Sequence, residues 1–99
     1  MSKVITDITQ TEGDLSDILF RRKYWNEKAR HLLSGAKIID VEYMSEKEVK
    51  ESGWLNASVC MLVEQKGKRF WIYPMRDDEG NDGGALAFAD GSNEILPVL

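Results

Sequence analysis

The residues with the clearest chemical potential form one loop, Arg76-Asp77-Asp78-Glu79-Gly80-Asn81-Asp82-Gly83-Gly84. The side-chain oxygens of Asp77, Asp78, Glu79, Asn81 and Asp82 are hard donors, and the glycines let a short segment bend round a divalent cation. The EF-hand spacing is not met. Counting from Asp78, the third position is Gly80 and the twelfth is Ala89, where a bidentate Glu would stand. An irregular oxygen cage stays open as one reading. The plainer one, which the sequence favours, is a turn of residues that tolerate positive φ and hydrogen-bond their own backbone. On that reading Asp78→Ala and Asp82→Ala each cost about 1 kcal/mol or less, as at solvent-facing positions.

Other reactive residues are sparse. His31 is the one histidine and Cys60 the one cysteine. No Gly-x-Ser-x-Gly elbow, His-x-x-x-His pair, P-loop or Gly-x-Gly-x-x-Gly turn is present. One cysteine forms neither an internal disulfide nor a cysteine-based zinc site. Within Val59-Cys60-Met61-Leu62-Val63 it reads as a small buried hydrophobe. Adjacent carboxylates such as Asp77 and Asp78 do acid–base work only in a desolvated pocket that splits their pKa values. The expectation is therefore a non-enzymatic protein without a cofactor.

A second constellation lies near the N-terminus. Residues 20–37 carry Arg21, Arg22, Lys23, Lys28, Arg30 and Lys37 against Glu27, whereas residues 38–99 carry six bases against twelve acids. At 100° per residue, Leu15, Ile18, Leu19, Trp25, Ala29, Leu32 and Leu33 share an arc of about 140°. Arg22 falls inside that arc, which predicts either a carboxylate partner or a stem lying along the rim of the core with its head in water. Phe20, Tyr24 and His31 gather on the opposite side, flanked by Arg21, Lys23, Lys28 and Arg30. A helix facing a single core is polar there, so this stripe reads as a partner surface. The alternative is that Val4, Ile5 and Ile8 fold back over it. Interleaved bases and aromatics also suit single-stranded nucleic acid. The acidic remainder opposes it, and an acidic protein surface or a second copy of the chain fits the charge map better.

The elements that must position these residues follow from periodicity. Residues 1–13 read as a tail or short strand, and residues 14–99 as a single domain. A helix of about 19 residues begins at Asp14 and stops at Ser34-Gly35. Ile39, Val41 and Tyr43 alternate with Asp40 and Glu42, a half-buried strand. Ser45-Glu46-Lys47-Glu48 is a capping box for a short helix that ends at Gly53, with Trp54 returning over the core. Residues 58–64 and 69–75 form a hairpin turning at 65–68, apolar on both faces, so the sheet must curl, receive the C-terminus or meet another chain. Pro74 ends that pairing or marks an edge. A last hairpin closes around residues 90–93. The fold class is α+β: a long N-terminal helix packed on a curled, mostly antiparallel sheet, an SH3-like half-barrel or meander, with a short helix inserted.

Across 99 residues, 42% hydrophobic and 30% charged with net charge −4, the chain is compositionally an ordinary globular domain. It contains no 18-residue apolar run, so no membrane partner is expected and the cytoplasm is the expected location.

The stretch Ile38–Leu86 carries Tyr43-Met44-Ser45, Glu48, Gly53-Trp54, Pro74, Asp77-Asp78-Glu79-Gly80-Asn81 and Gly84-Ala85-Leu86. In these it resembles a small uncharacterised family of bacterial and phage proteins, over about half the chain and leaving the long helix outside. The resemblance implies a bacterial or phage setting and no particular activity. Its residues are largely caps, turns and core anchors, types that can specify a fold alone. Together these readings point to a small interaction or regulatory protein acting through a protein-binding surface at Phe20, Arg21, Tyr24, Lys28 and His31. The rivals are a metal module at residues 77–82 and a single-strand binder at residues 20–31.

Overall fold

The computed structural model describes residues 12–99, with side-chain environments from residue 17 onward. The expected tail or strand therefore lies almost wholly outside the described residues, as does any cover that Val4, Ile5 and Ile8 provide. The order is α1 (Glu12–Leu33), β1 (Lys37–Tyr43), α2 (Glu46–Ser52), β2 (Val59–Gln65), β3 (Lys68–Ile72), β4 (Leu86–Ala87) and β5 (Ile95–Leu96). An α+β class is what these elements make. The chain divides into two compact units, Met1–Gly35 and Ala36–Leu99.

In the first unit α1 starts two residues earlier than its periodicity predicts and closes at Gly35, whose φ of +76° is the left-handed value expected of a helix stop. Its last turn carries Arg30 and His31, where positive charge offsets the helix dipole.

In the second unit β1, β2 and β3 form an antiparallel sheet in that order, and β4 pairs with β5 in a separate two-stranded ribbon. The β2–β3 hairpin turns on Lys66 and Gly67, with φ of +52° and +77°. Two consecutive positive values make the two-residue turn whose twist matches that of the flanking strands. The capping box of α2 is complete. Ser45 Oγ accepts from Glu48 N–H at 3.2 Å, and Glu48 Oε1 accepts from Ser45 N–H at 3.0 Å. Gly53, at φ +72°, then ends the helix.

One register feature was not legible beforehand. Ile38 pairs with Val63 but Asp40 pairs with Leu62, so Ile39 is an extra residue in β1. This bulge turns Ile38 to the same face as Val41 and Tyr43. Opposed residues of an antiparallel pair share a face, so Tyr43, Val59, Met61, Val63, Phe70 and Ile72 lie on one side. Asp40, Glu42, Cys60, Leu62 and Trp71 lie on the other. Val59 and Val63 are buried and, with Ala57, form the apolar centre of the described residues.

The C-terminus does return to the sheet. Ala57 and Leu99 exchange backbone hydrogen bonds at 2.7 and 3.0 Å, and the Tyr43 hydroxyl donates to the Pro97 carbonyl at 2.9 Å. The sheets nevertheless stay open rather than closing on themselves. Ile38, Val41, Trp71 and Tyr73 remain exposed, so the two-sided apolar character of the hairpin is only partly covered within the chain.

Candidate functional site

Three places could do chemistry: the acidic loop, the face of α1, and the sheet face that carries Glu42 and Cys60.

The loop is built round two carboxylates with separate tasks. Asp77 Oδ1 accepts from the backbone N–H groups of Glu79 at 3.0 Å and Asn81 at 3.3 Å, while its Oδ2 accepts from Asn81 Nδ2 at 2.7 Å. The Asn81 amide, foremost among these donors, holds the Asp77 carboxyl below its ordinary value. This is the self-bonded turn expected of the segment.

Asp82 behaves otherwise. It is only 6% exposed and points away from the turn, toward residues 55–56. Its Oδ1 accepts from the N–H groups of Gly83 at 2.8 Å, Asn56 at 3.0 Å and Leu55 at 3.3 Å, and its Oδ2 accepts from Asn56 Nδ2 at 2.9 Å. The Gly83 N–H first, then the donors of Asn56 and Leu55, stabilise the charged form and lower its pKa. The expectation that Asp82 is a solvent-facing turn residue is thereby corrected. Both oxygens of this carboxylate are engaged by N–H donors of the protein, three on Oδ1 and one on Oδ2.

Beside it, fully buried Ser58 donates through Oγ to the Pro74 carbonyl at 2.7 Å and accepts from the Gly84 N–H at 2.9 Å. Trp54 Nε1 donates to the Gly80 carbonyl at 2.8 Å, so the tryptophan that follows the short helix anchors the loop. Ser58 and Asp82 together form a clasp between residues 54–58 and 74–84.

The five candidate metal residues are thus divided. Asp77, Glu79 and Asn81 share the turn, Asp82 serves the clasp, and Asp78 is exposed. Among the described residues no group of three or more His, Cys, Asp or Glu is placed to hold a metal ion. Adding millimolar calcium or magnesium is expected to leave the melting temperature unchanged. A cation binding tenfold below its added concentration would raise stability by about 1.4 kcal/mol, visible as a shift of several degrees. Such a rise, abolished by Asp77→Ala, would restore the metal reading.

On α1, Phe20 is 71% exposed, and Leu19, Tyr24, Trp25, Leu32 and Leu33 are exposed as well. Exposed side chains thus occur both in the apolar arc and on the opposite stripe. Tyr24 and Trp25 meet edge to face at 5.1 Å, and the Lys28 ammonium lies 5.2 Å from the Trp25 ring centre. Arg22 is exposed and lines a shallow groove with Ile18, Arg21 and Trp25, and among the described residues it forms no ion pair with a carboxylate. Arg21 and Lys28 are exposed beside the aromatics, and His31 lies in the last turn.

The third place was missed. A cavity of about 360 Å³ is lined by Glu42, Tyr43, Met44, Glu48, Glu51, Ser52, Cys60, Trp71 and Tyr73. Across the sheet, Glu42 of β1 pairs with Cys60 of β2, and Trp71 of β3 lies on the same face. From α2 come Glu48 and Glu51, three residues apart and so neighbours on one helical face. The cavity thus has an acidic wall and an aromatic wall. Cys60 lies between them, half-buried rather than in the core. Burial pushes its thiol pKa up, and the negative charges of Glu48 and Glu42 push the same way. A thiol held protonated is a poor nucleophile. The alternation of β1 and β3 carried the signal for this site, but only the register aligns Glu42, Cys60 and Trp71.

Among the described residues, no helix is long and apolar enough to cross a membrane. No protein-family model matches the chain, and neither a curated protein nor a solved structure matches it.

Proposed function

We propose that this chain is a non-enzymatic interaction protein that acts through a protein-binding surface on α1, with a second copy of the chain as the first partner. The observation that carries the reading is the exposure of Phe20 and Tyr24 on one stripe of a basic stretch of helix, with the exposed Trp25 ring edge to face on Tyr24. Large aromatic side chains left in water represent unused burial free energy, on the order of 2 kcal/mol each. Contiguous exposed apolar surface rimmed by charge is characteristic of contact sites. Self-association is the commonest way to cover such a surface, and two-fold pairing its commonest geometry. In this arrangement Arg21, Lys23, Lys28 and Arg30 form a rim that meets acidic residues of the other copy, such as Asp40 and Glu42.

Rim charges tune encounter, whereas buried aromatics carry most of the affinity. Tyr24→Ala is therefore expected to raise the dimer dissociation constant by about tenfold or more, against less than about threefold for Lys28→Ala. Sedimentation velocity across a micromolar concentration series reads both. A strict monomer, or Lys28→Ala weakening association more than Tyr24→Ala, would overturn the proposal.

A further inference from the structure

We infer that the cavity between β1, β3 and α2 is a receptor for an arginine side chain presented by a protein partner. The inference rests on the reading of this chain as an interaction protein but concerns the cavity rather than the aromatic stripe of α1.

The two walls select the ligand. Glu42, Glu48 and Glu51 supply carboxylates on one side, and Trp71 and Tyr73 supply rings that are 43% and 47% exposed. No lysine or arginine lines the cavity. Among the described residues Glu42 has no ion-pair partner, and Glu51 has only the long exposed contact with Lys47 at 3.9 Å. Glu48 Oε1 is engaged by the N–H and hydroxyl of Ser45, which fixes that carboxylate in place. Burial foremost, and then the charges of Glu48 and Glu42, raise the pKa of Cys60 in the same cavity.

An anionic wall facing aromatic rings is complementary to an organic cation. Among side-chain cations, guanidinium is planar, weakly hydrated and able both to stack on an indole and to bond a carboxylate through paired N–H groups. A compact ammonium can also sit over a ring, but it has neither a planar face to stack on the indole nor a fork of paired N–H groups for a carboxylate. The volume, about 360 Å³, is at the small end of ligand clefts and suits one side chain. Both rings are nearly half exposed, so the cavity is wide-mouthed. Such a mouth leaves a free small molecule largely in water, whereas a side chain delivered by a larger partner is sealed by the surrounding contact.

The test is a titration of the full chain with a capped five-residue peptide holding one arginine between glycines. The control is the same peptide with citrulline, which keeps the shape and loses the charge. Binding is followed by amide and indole NMR shifts. The expected result is saturable binding with a dissociation constant of about 1 mM, the strength reasonable for one side chain. Shifts should centre on Glu42, Cys60 and the Trp71 indole, and Glu42→Gln and Trp71→Leu should each weaken binding at least about fivefold. Should Trp71→Leu fail to fold, Glu42→Gln alone decides, since Glu42 is exposed in β1 and its amide is isosteric. Equal binding of the citrulline peptide, shifts centred elsewhere, or no saturation by about 20 mM would overturn the inference. None of these outcomes bears on the sedimentation result for Tyr24→Ala, so the two readings fail separately.

Discussion

Replacing Asp82 by alanine is expected to lower the melting temperature by about 10 °C, against less than about 3 °C for Asp78→Ala, four positions earlier. The contrast follows from what each carboxylate touches. Asp78 is exposed and makes no hydrogen bond within the turn. Asp82 is buried and accepts from three backbone N–H groups and one side-chain amide. Its removal leaves the donors of Leu55, Asn56 and Gly83 facing a void, and unsatisfied buried donors carry their full desolvation cost. Asp82→Asn is a finer test. One oxygen can still serve the backbone, but its new NH₂ group confronts Asn56 Nδ2, donor against donor.

The same clasp gives the stability a sign with pH. The native-state pKa of Asp82 is lowered, chiefly by the Gly83 N–H, relative to its ordinary value of 3.8. A depressed carboxylate pKa contributes stability that is fully present above the unfolded value. That contribution is lost as pH falls through the native one. The melting temperature should therefore hold at neutral pH and decline as the pH drops through the ordinary carboxylate range and below it. Asp77, Glu48 and Asp90 are shifted in the same direction by their own turn and cap hydrogen bonds and add to the slope. In Asp82→Asn the acid decline should be shallower. Thermal melts from pH 7 down to pH 3 measure both effects, and an unchanged slope in the variant would remove Asp82 as a source of acid sensitivity.

Gly84→Ala is expected to cost about 2–3 kcal/mol, or roughly 10–15 °C, through steric conflict rather than backbone strain. A Cβ at Gly84 would stand 2.7 Å from the Met75 carbonyl oxygen and 2.8 Å from its carbon. Both are backbone atoms held by the Met75–Gly83 bridge and by the Gly84 N–H bond to Pro74 at 3.1 Å, so neither can swing aside. Gly91 provides the comparison. Its φ is +86° and nothing lies within 4 Å of a Cβ there, so alanine meets conformational strain alone, about 1 kcal/mol. Chemical denaturation of the two variants separates the mechanisms. Equal losses would mean that close approach at Gly84 is not the constraint.

Local structure was largely legible. The Ser45–Glu48 box and the Gly53 stop carry their own hydrogen-bond partners within a few residues, and in the Lys66-Gly67 turn glycine meets one of the two positive φ values while Lys66 takes a value uncommon outside glycine. Such features depend on contacts near in sequence, so residue type and spacing determine them. The extra residue at Ile39 was not legible, because a bulge is decided by which pairing lets both strands fill their faces. That single residue turns Ile38 away from the sheet face of Cys60.

Asp82 shows the same limit from another side. In the sequence it is one of five similar oxygen donors in a glycine-rich loop, and composition cannot distinguish a solvated turn residue from a buried acceptor. Its role rests on Leu55 and Asn56, more than 25 positions earlier, being brought against it. Likewise Glu42, Glu48 and Trp71 lie on three different elements, and nothing in their spacing announces a common cavity. The sequence by itself determined the elements, their caps and turns, and the charge contrast between residues 20–37 and the rest. Only the tertiary structure decided which carboxylate is buried and which carboxylates face aromatic rings. Hydrogen-bond satisfaction and register are properties of contacts between distant segments, and they come into being when those segments meet.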